Sequence, residues 1–142
     1  MKKIYVDSCV YISFLTNEMN YTGQLRGNYL YIIFEKFWNK ELKLVISTWV
    51  IKEVKKKLRH KFGEDGVEMF ENLIKDLNNI NNLEKVGYND VDIKRAKELD
   101  SENFPDALHA VLAKKSNSDI LTTENTSDFL NYKIINVLHP RD

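Results

Sequence analysis

The chain has 142 residues, enough for one domain with a substantial apolar core, so neither disulfides nor a structural metal is required to hold it folded. Lysine plus arginine number 21 and aspartate plus glutamate also 21, a balance that excludes a global positive field and leaves only local contact with nucleic acid. The one cysteine, Cys9, excludes an internal disulfide framework and a multi-cysteine zinc site. With no apolar run near the ~20 residues of a membrane span, the expectation is a cytoplasmic chain with no membrane contact.

In chain order, residues 4–6 form the first β-rich run, and Asp7 stands at the seam between it and a second apolar run that starts at Cys9. Cys9, Val10, Ile12 and Phe14 read as core or dimer-face residues. In "NYLYIIFEKFWNK", Leu30, Ile33, Phe34, Phe37 and Trp38 have the spacing of a helix packed on a sheet; the aromatics here, Tyr29 and Tyr31 included, suit the core or a partner groove. Residues 44–47 are the second strand, and Ser47 or Thr48 can cap a helix whose apolar face is Val50, Ile51, Val54, Leu58 and Phe62. Glu53 falls off that face, about one turn from the helix start. The run "KKKLRHKF", 55–62, is either a basic surface that steers a nucleic-acid backbone or a solvated helix face, with Lys57 able to pair with Glu53 at the i,i+4 spacing.

A further helical stripe runs through Val67, Phe70, Leu73, Ile74 and Leu77 and closes at the asparagine cluster "NNINN", after which "DVDIKRAKEL" reads as a short capped helix. In "ENFPDALHAVLAKK", Pro105 suits the first helical position and places Asp106 in the first turn. His109 follows one turn later on the same face, either orienting a bound water or phosphate or simply packing. Residues 119–122 form a third strand, followed by Thr123, Glu124, Asn125 and Asp128, and residues 133–137 form a fourth. Short strands alternating with helices predict an α/β domain over 1–142, a central parallel β-sheet flanked by α-helices.

In such a sheet, ligands gather beyond the carboxyl ends of the strands, where Asp7, Glu53, Asp106 and Asp128 fall. Singly, each acid suits a helix's first turn, where the macrodipole favours negative charge. Together they form a like-charge cluster that stays ionised only beside cations, and oxygen-only ligands suit Mg²⁺ or Mn²⁺. Such ions support in-line phosphodiester cleavage by water, on RNA or DNA.

These motifs resemble those of the PIN-domain nucleases, most closely the VapC-type ribonuclease toxins of toxin–antitoxin pairs. "IYVDSCVYISFL" is similar to the family's first motif, with Asp7 as metal carboxylate and Ser8 as the hydroxylic residue after it. "LVISTWVIKEV" is similar to the second with Glu53, "FPDALHAVLAKK" to the third with Asp106, and "ILTTENTSDF" to the last, with Thr123, Asn125, Asp128 and Phe129. The resemblance implies a Mg²⁺- or Mn²⁺-dependent endoribonuclease with an RNA substrate, a cognate antitoxin and a homodimeric state. In it Asp7, Glu53, Asp106 and Asp128 are catalytic, Asn125 is a further metal ligand, and Ser8 and Thr123 support them. Asn125 departs from the aspartate common at its position, so the fourth carboxylate falls to Asp128 or to Glu124. The rival readings are a PIN nuclease of RNA processing or of DNA, and a catalytically silent PIN module that binds RNA or a partner.

Overall fold

The computed structural model describes residues 2–20, 33, 35–37, 39, 41–79 and 83–140. Its strands are short because each crosses the core once, with most side chains of the inner ones enclosed. β1 (Lys2–Val6), β2 (Leu42–Ser47), β3 (Leu83–Val86), β4 (Ile120–Thr122) and β5 (Asn136–Leu138) form one sheet in the order β3-β2-β1-β4-β5, parallel throughout. Tyr5 and Val6, then Leu44, Val45 and Ile46, and Leu121 are wholly inaccessible to solvent, which is why the central strands read as continuous apolar runs.

The chain works outward from β1 to β2 and β3, then returns across the sheet to β4 and continues to β5. Strand order therefore reverses between β1 and β4, and the crevice beyond their carboxyl ends is where this class of sheet gathers ligands.

Helices α1 (Ser8–Asn20), α2 (Thr48–Phe62), α3 (Glu64–Asn79), α4 (Asp90–Leu99), α5 (Phe104–Lys115) and α6 (Thr126–Phe129) join the strands. The Ser47 hydroxyl accepts the Val50 N–H at 2.9 Å and starts α2, so strand end and helix cap are one residue. Val50, Val54 and Leu58 are buried along α2 at the 3–4-residue spacing of a core-facing stripe, each burial contributing ~1.5–3 kcal/mol. Gly63 ends the helix at φ 67°, a left-handed conformation in which its N–H reaches the Arg59 carbonyl and the chain folds straight into α3. Asn89 and Asp92 form a reciprocal capping box at the start of α4. Ala107 to Ala113 of α5 are all buried, making it the helix most enclosed by the rest of the fold.

Three expectations need correction. The strand β3 is a further element that the sequence does not announce: "LEKV" sets two charged residues between two apolar ones, and as an edge strand it is only partly covered. The last strand spans Asn136–Leu138 rather than 133–137, since Ile134 and Ile135 pack on the core from a turn. β1 and β2 each begin two residues earlier than expected, and Asp119 precedes β4. Of the aromatic stripe, Ile33 and Phe37 are buried in the core, whereas Tyr29, Leu30, Tyr31, Phe34 and Trp38 lie outside the described residues.

Candidate active site

Asp7 leaves β1 and is almost wholly buried, 4% exposed, with its backbone N–H bonded to the Thr122 carbonyl of the neighbouring strand at 2.9 Å. That bond extends the β1–β4 pairing by one residue and fixes the carboxylate at the switch point. Oδ1 accepts the Ser8 N–H at 2.8 Å, and Oδ2 accepts the Thr123 hydroxyl at 2.9 Å and the Cys9 thiol at 3.2 Å. Asp7 thus both terminates a strand and satisfies the first turn of α1, and three donors from two segments hold its carboxylate against rotation.

Glu53 arrives from α2, one turn after Val50 and at the flank of the buried stripe. Its Oε1 accepts the Ser8 hydroxyl at 3.0 Å and is bonded to His109 Nε2, so Ser8 links the first two carboxylates. The sequence reading offered Lys57 as a partner of Glu53; its close partners are instead Ser8 and His109.

Asp106, in the first turn of α5, is half-buried. Burial and the charge of Asp7 push its carboxyl up to about 6, with Asp128 and Glu53 adding to the shift and His109 opposing it. Carboxylates from three other parts of the chain therefore act on Asp106. Asp128 lies on the exposed side of α6 and Asn125 at its start; the Asn125 N–H is bonded to the Thr123 hydroxyl at 3.1 Å. Thr123, wholly buried, holds both Asp7 and the turn that carries Asn125. Glu124 points elsewhere: one oxygen accepts the Ser13 hydroxyl at 2.9 Å and the other is buried without a hydrogen-bond partner.

His109 carries more of the site than its sequence context suggested. It is buried, with Nε2 shared between Glu53 and, at 3.3 Å, Asp7 Oδ1. Nδ1 meets the Tyr5 hydroxyl at 2.8 Å, and that hydroxyl meets Ser47 Oγ at 2.7 Å. Either protonation state of the imidazole is satisfied. A neutral ring accepts from Tyr5 at Nδ1 while Ser47 donates to Tyr5, and a charged ring donates to Tyr5, which then donates to Ser47. Burial opposes the charged form, but Asp7, Glu53 and Asp106 outweigh it and raise the imidazole above its ordinary value. The chain from Ser47 through Tyr5 to His109 escaped the sequence reading. The one signal available was a tyrosine at the enclosed end of β1, whose hydroxyl must find a partner.

Chemically the donor set is oxygen apart from His109 and the Cys9 thiol, and Asp106 is raised first by burial and then by the charge of Asp7. That fits a hard divalent cation. Among the described residues no group of three or more His, Cys, Asp or Glu side chains is close enough together to hold a metal ion without moving.

Comparison with known proteins agrees with this architecture. The PIN domain family matches residues 4–134. No curated protein sequence matches the chain. Among solved structures, VapBC2 from Rickettsia felis, bound to a DNA fragment from its promoter, is similar with a TM-score of 0.69 and 16% identity, over 96% of this chain and 98% of that one. DNA-bound VapBC from Salmonella typhimurium is similar with a TM-score of 0.68 and 15% identity over 99% of both chains. A toxin–antitoxin complex from Klebsiella pneumoniae is similar with a TM-score of 0.55 and 16% identity over 96% of this chain and 97% of that one. At these identities the likeness establishes a shared fold.

Proposed function

The chain belongs to the PIN domain family, and from that premise we propose that it is a metal-dependent endoribonuclease that cleaves RNA phosphodiester bonds by attack of water, acting as the toxin of a toxin–antitoxin pair. The observation that carries this reading is the junction of Asp7 and Glu53 through Ser8 and His109 beside the β1–β4 switch point, with half-buried Asp106 raised by burial and by the charges of Asp7, Asp128 and Glu53. In this reading those four carboxylates hold Mg²⁺ or Mn²⁺ with help from Asn125. Bound there, a divalent ion supplies the Lewis acidity that makes water nucleophilic and offsets charge on the scissile phosphate.

The chain's own residues do the rest. Ser8 and Thr123 fix the rotamer of Asp7, and Ser8 with His109 fixes Glu53. His109 keeps two carboxylates close by sharing one N–H between them, so their geometry is set before substrate arrives. The partners of this reading are an RNA substrate, an antitoxin and a second copy of the chain. Its likeness to VapBC and toxin–antitoxin complexes supports the antitoxin. A silent PIN module is favoured by the lack, among the described residues, of three His, Cys, Asp or Glu side chains close enough together to hold an ion, and by Asn125 in place of an acid.

The deciding experiment compares wild type with Asp7→Asn for Mg²⁺-dependent RNA cleavage and for growth arrest on expression. Removing the most enclosed carboxylate should lower cleavage at least ~100-fold, the scale lost when one charge-stabilising group leaves an active site, and should abolish growth arrest in a folded protein. Cleavage and arrest unchanged in Asp7→Asn would remove this mechanism.

A further inference from the structure

α2 divides its positive charges between two jobs. Lys55 is paired with Glu71 at 3.2 Å and Arg59 with Glu64 at 2.8 Å, both acids belonging to α3. Lys52, Lys56 and Lys57 have no carboxylate within ion-pair distance among the described residues, and all three are exposed. Lys52, Lys56 and His60 recur every four residues, a row climbing one helix face by ~6 Å per step. They line a cleft of about 760 Å³ whose other walls include Ser8 and Glu53, so the lysines of the row lead directly to the carboxylate site.

The same cleft contains an aromatic surface. Trp49, half-buried, is pinned by a hydrogen bond from its indole N–H to the Pro105 carbonyl at 3.2 Å and by edge-on packing against Tyr88. Lys52 lies over its ring, 5.9 Å from the centroid. A fixed ring beside a row of unpaired ammonium groups is the combination by which proteins hold single-stranded nucleic acid: the cations follow the backbone and the ring meets bases or sugars. A chain with no net charge gains local attraction for a polyanion only by such segregation.

We propose that this cleft, walled by Trp49 and edged by Lys52, Lys56 and Lys57, is the path along which a single-stranded RNA substrate enters the carboxylate site, its phosphates held by the ammonium groups. The inference rests on the ribonuclease reading for the identity of the strand. It adds which surface carries that strand and which of the helix's cations do not take part.

The test compares two double variants that each remove two positive charges from exposed or half-exposed positions of α2: Lys52→Gln/Lys56→Gln in the cleft, and Lys55→Gln/Arg59→Gln beside α3. Binding of a short labelled single-stranded RNA is followed by fluorescence anisotropy in EDTA over a range of salt. Mg²⁺-dependent cleavage is assayed on the same samples. The cleft variant should bind about tenfold more weakly, with the slope of log affinity against log salt reduced by ~1.4, or ~0.7 for each phosphate left without its lysine. The α3-side variant should stay within about twofold of wild type. Equal losses in the two variants would reduce the effect to general charge and overturn the proposal. Unchanged RNA binding in the cleft variant would also overturn it and leave the row to a protein partner. The two readings fail separately: binding that depends on Lys52 and Lys56 without any cleavage by wild type removes the nuclease and keeps the cleft. Undiminished cleavage by the cleft variant removes the cleft and keeps the nuclease.

Discussion

Asp106 is the residue at which the energetics of the site are most exposed. Its carboxyl rises from an ordinary 3.8 to about 6 because it is partly buried and faces Asp7, so folding takes up a proton across that interval. Ionising Asp106 therefore costs the metal-free fold stability as pH rises from about 4 to about 6. His109, also raised, contributes in the same direction, its share being lost as pH climbs through its folded-state value. An Asp106→Asn variant imitates the protonated acid at every pH. In EDTA it should match wild type near pH 4 and exceed it in thermal midpoint near pH 7, measured by melts across about pH 4 to 7. A difference that stays flat over that range would mean that Asp106 does not feel its neighbours. Asp7, Glu53 and Asp106 could be named from the sequence because each sits beside a strand end or helix start. The interplay that raises Asp106 could not, since it depends on distances between residues far apart in the chain, from Asp7 near one end to Asp128 near the other. Nor could the part played by His109, whose single-turn spacing from Asp106 says nothing about Glu53.

At the scale of elements, the α2–α3 pair depends on a small residue. A Cβ built at Gly66 would lie 3.0 Å from the Leu58 carbonyl oxygen and 3.1 Å from Phe62 Cβ, atoms of a neighbouring helix that cannot turn aside as a flexible side-chain end would. Alanine is worth up to ~1 kcal/mol more than glycine inside a helix, yet here the contact should dominate. Gly66→Ala is expected to destabilise the protein by ~1–3 kcal/mol, the usual cost of overpacking, read as a lowered denaturation midpoint at unchanged slope. A gain in stability would show that α2 and α3 can move apart without cost. Such close approach is invisible in "EDGVEMF", where the glycine reads as a turn signal as readily as a contact. The helices themselves were legible because their apolar stripes are long: Val50, Val54 and Leu58 on α2, and Phe70, Ile74 and Leu77 on α3, are buried as their spacing implies. β3 was not, because half-covered Leu83–Val86 needs no apolar run. The pair Ile134 and Ile135 misled in the opposite sense, apolar for packing and not for strand pairing.

For the molecule as a whole, the order β3-β2-β1-β4-β5 makes the site possible. The alternation of strands and helices implies a parallel sheet, but strand order is set by crossovers that no local pattern encodes. Placing β1 beside both β2 and β4 brings Asp7 between Ser47, at the start of α2, and Thr123, at the start of the last acidic loop. The sheet thus holds like charges together at the expense of stability, and a cation should return it. Binding only the folded state, Mn²⁺ at ~100 times its dissociation constant would add ~2.7 kcal/mol, raising the thermal midpoint of wild type at neutral pH in a concentration-dependent way. Asp7→Asn, which removes the charge held at the switch point, should show little of that rise. Under the same conditions Mn²⁺ should reverse the order of wild type and Asp106→Asn, since the carboxylate that burdens the metal-free protein becomes a ligand. If Mn²⁺ stabilises wild type and both variants alike, the ion is binding elsewhere and the crevice does not act as a metal site. If it separates them as described, the cost the sheet bears in gathering four acids at one edge is the preorganisation on which catalysis draws.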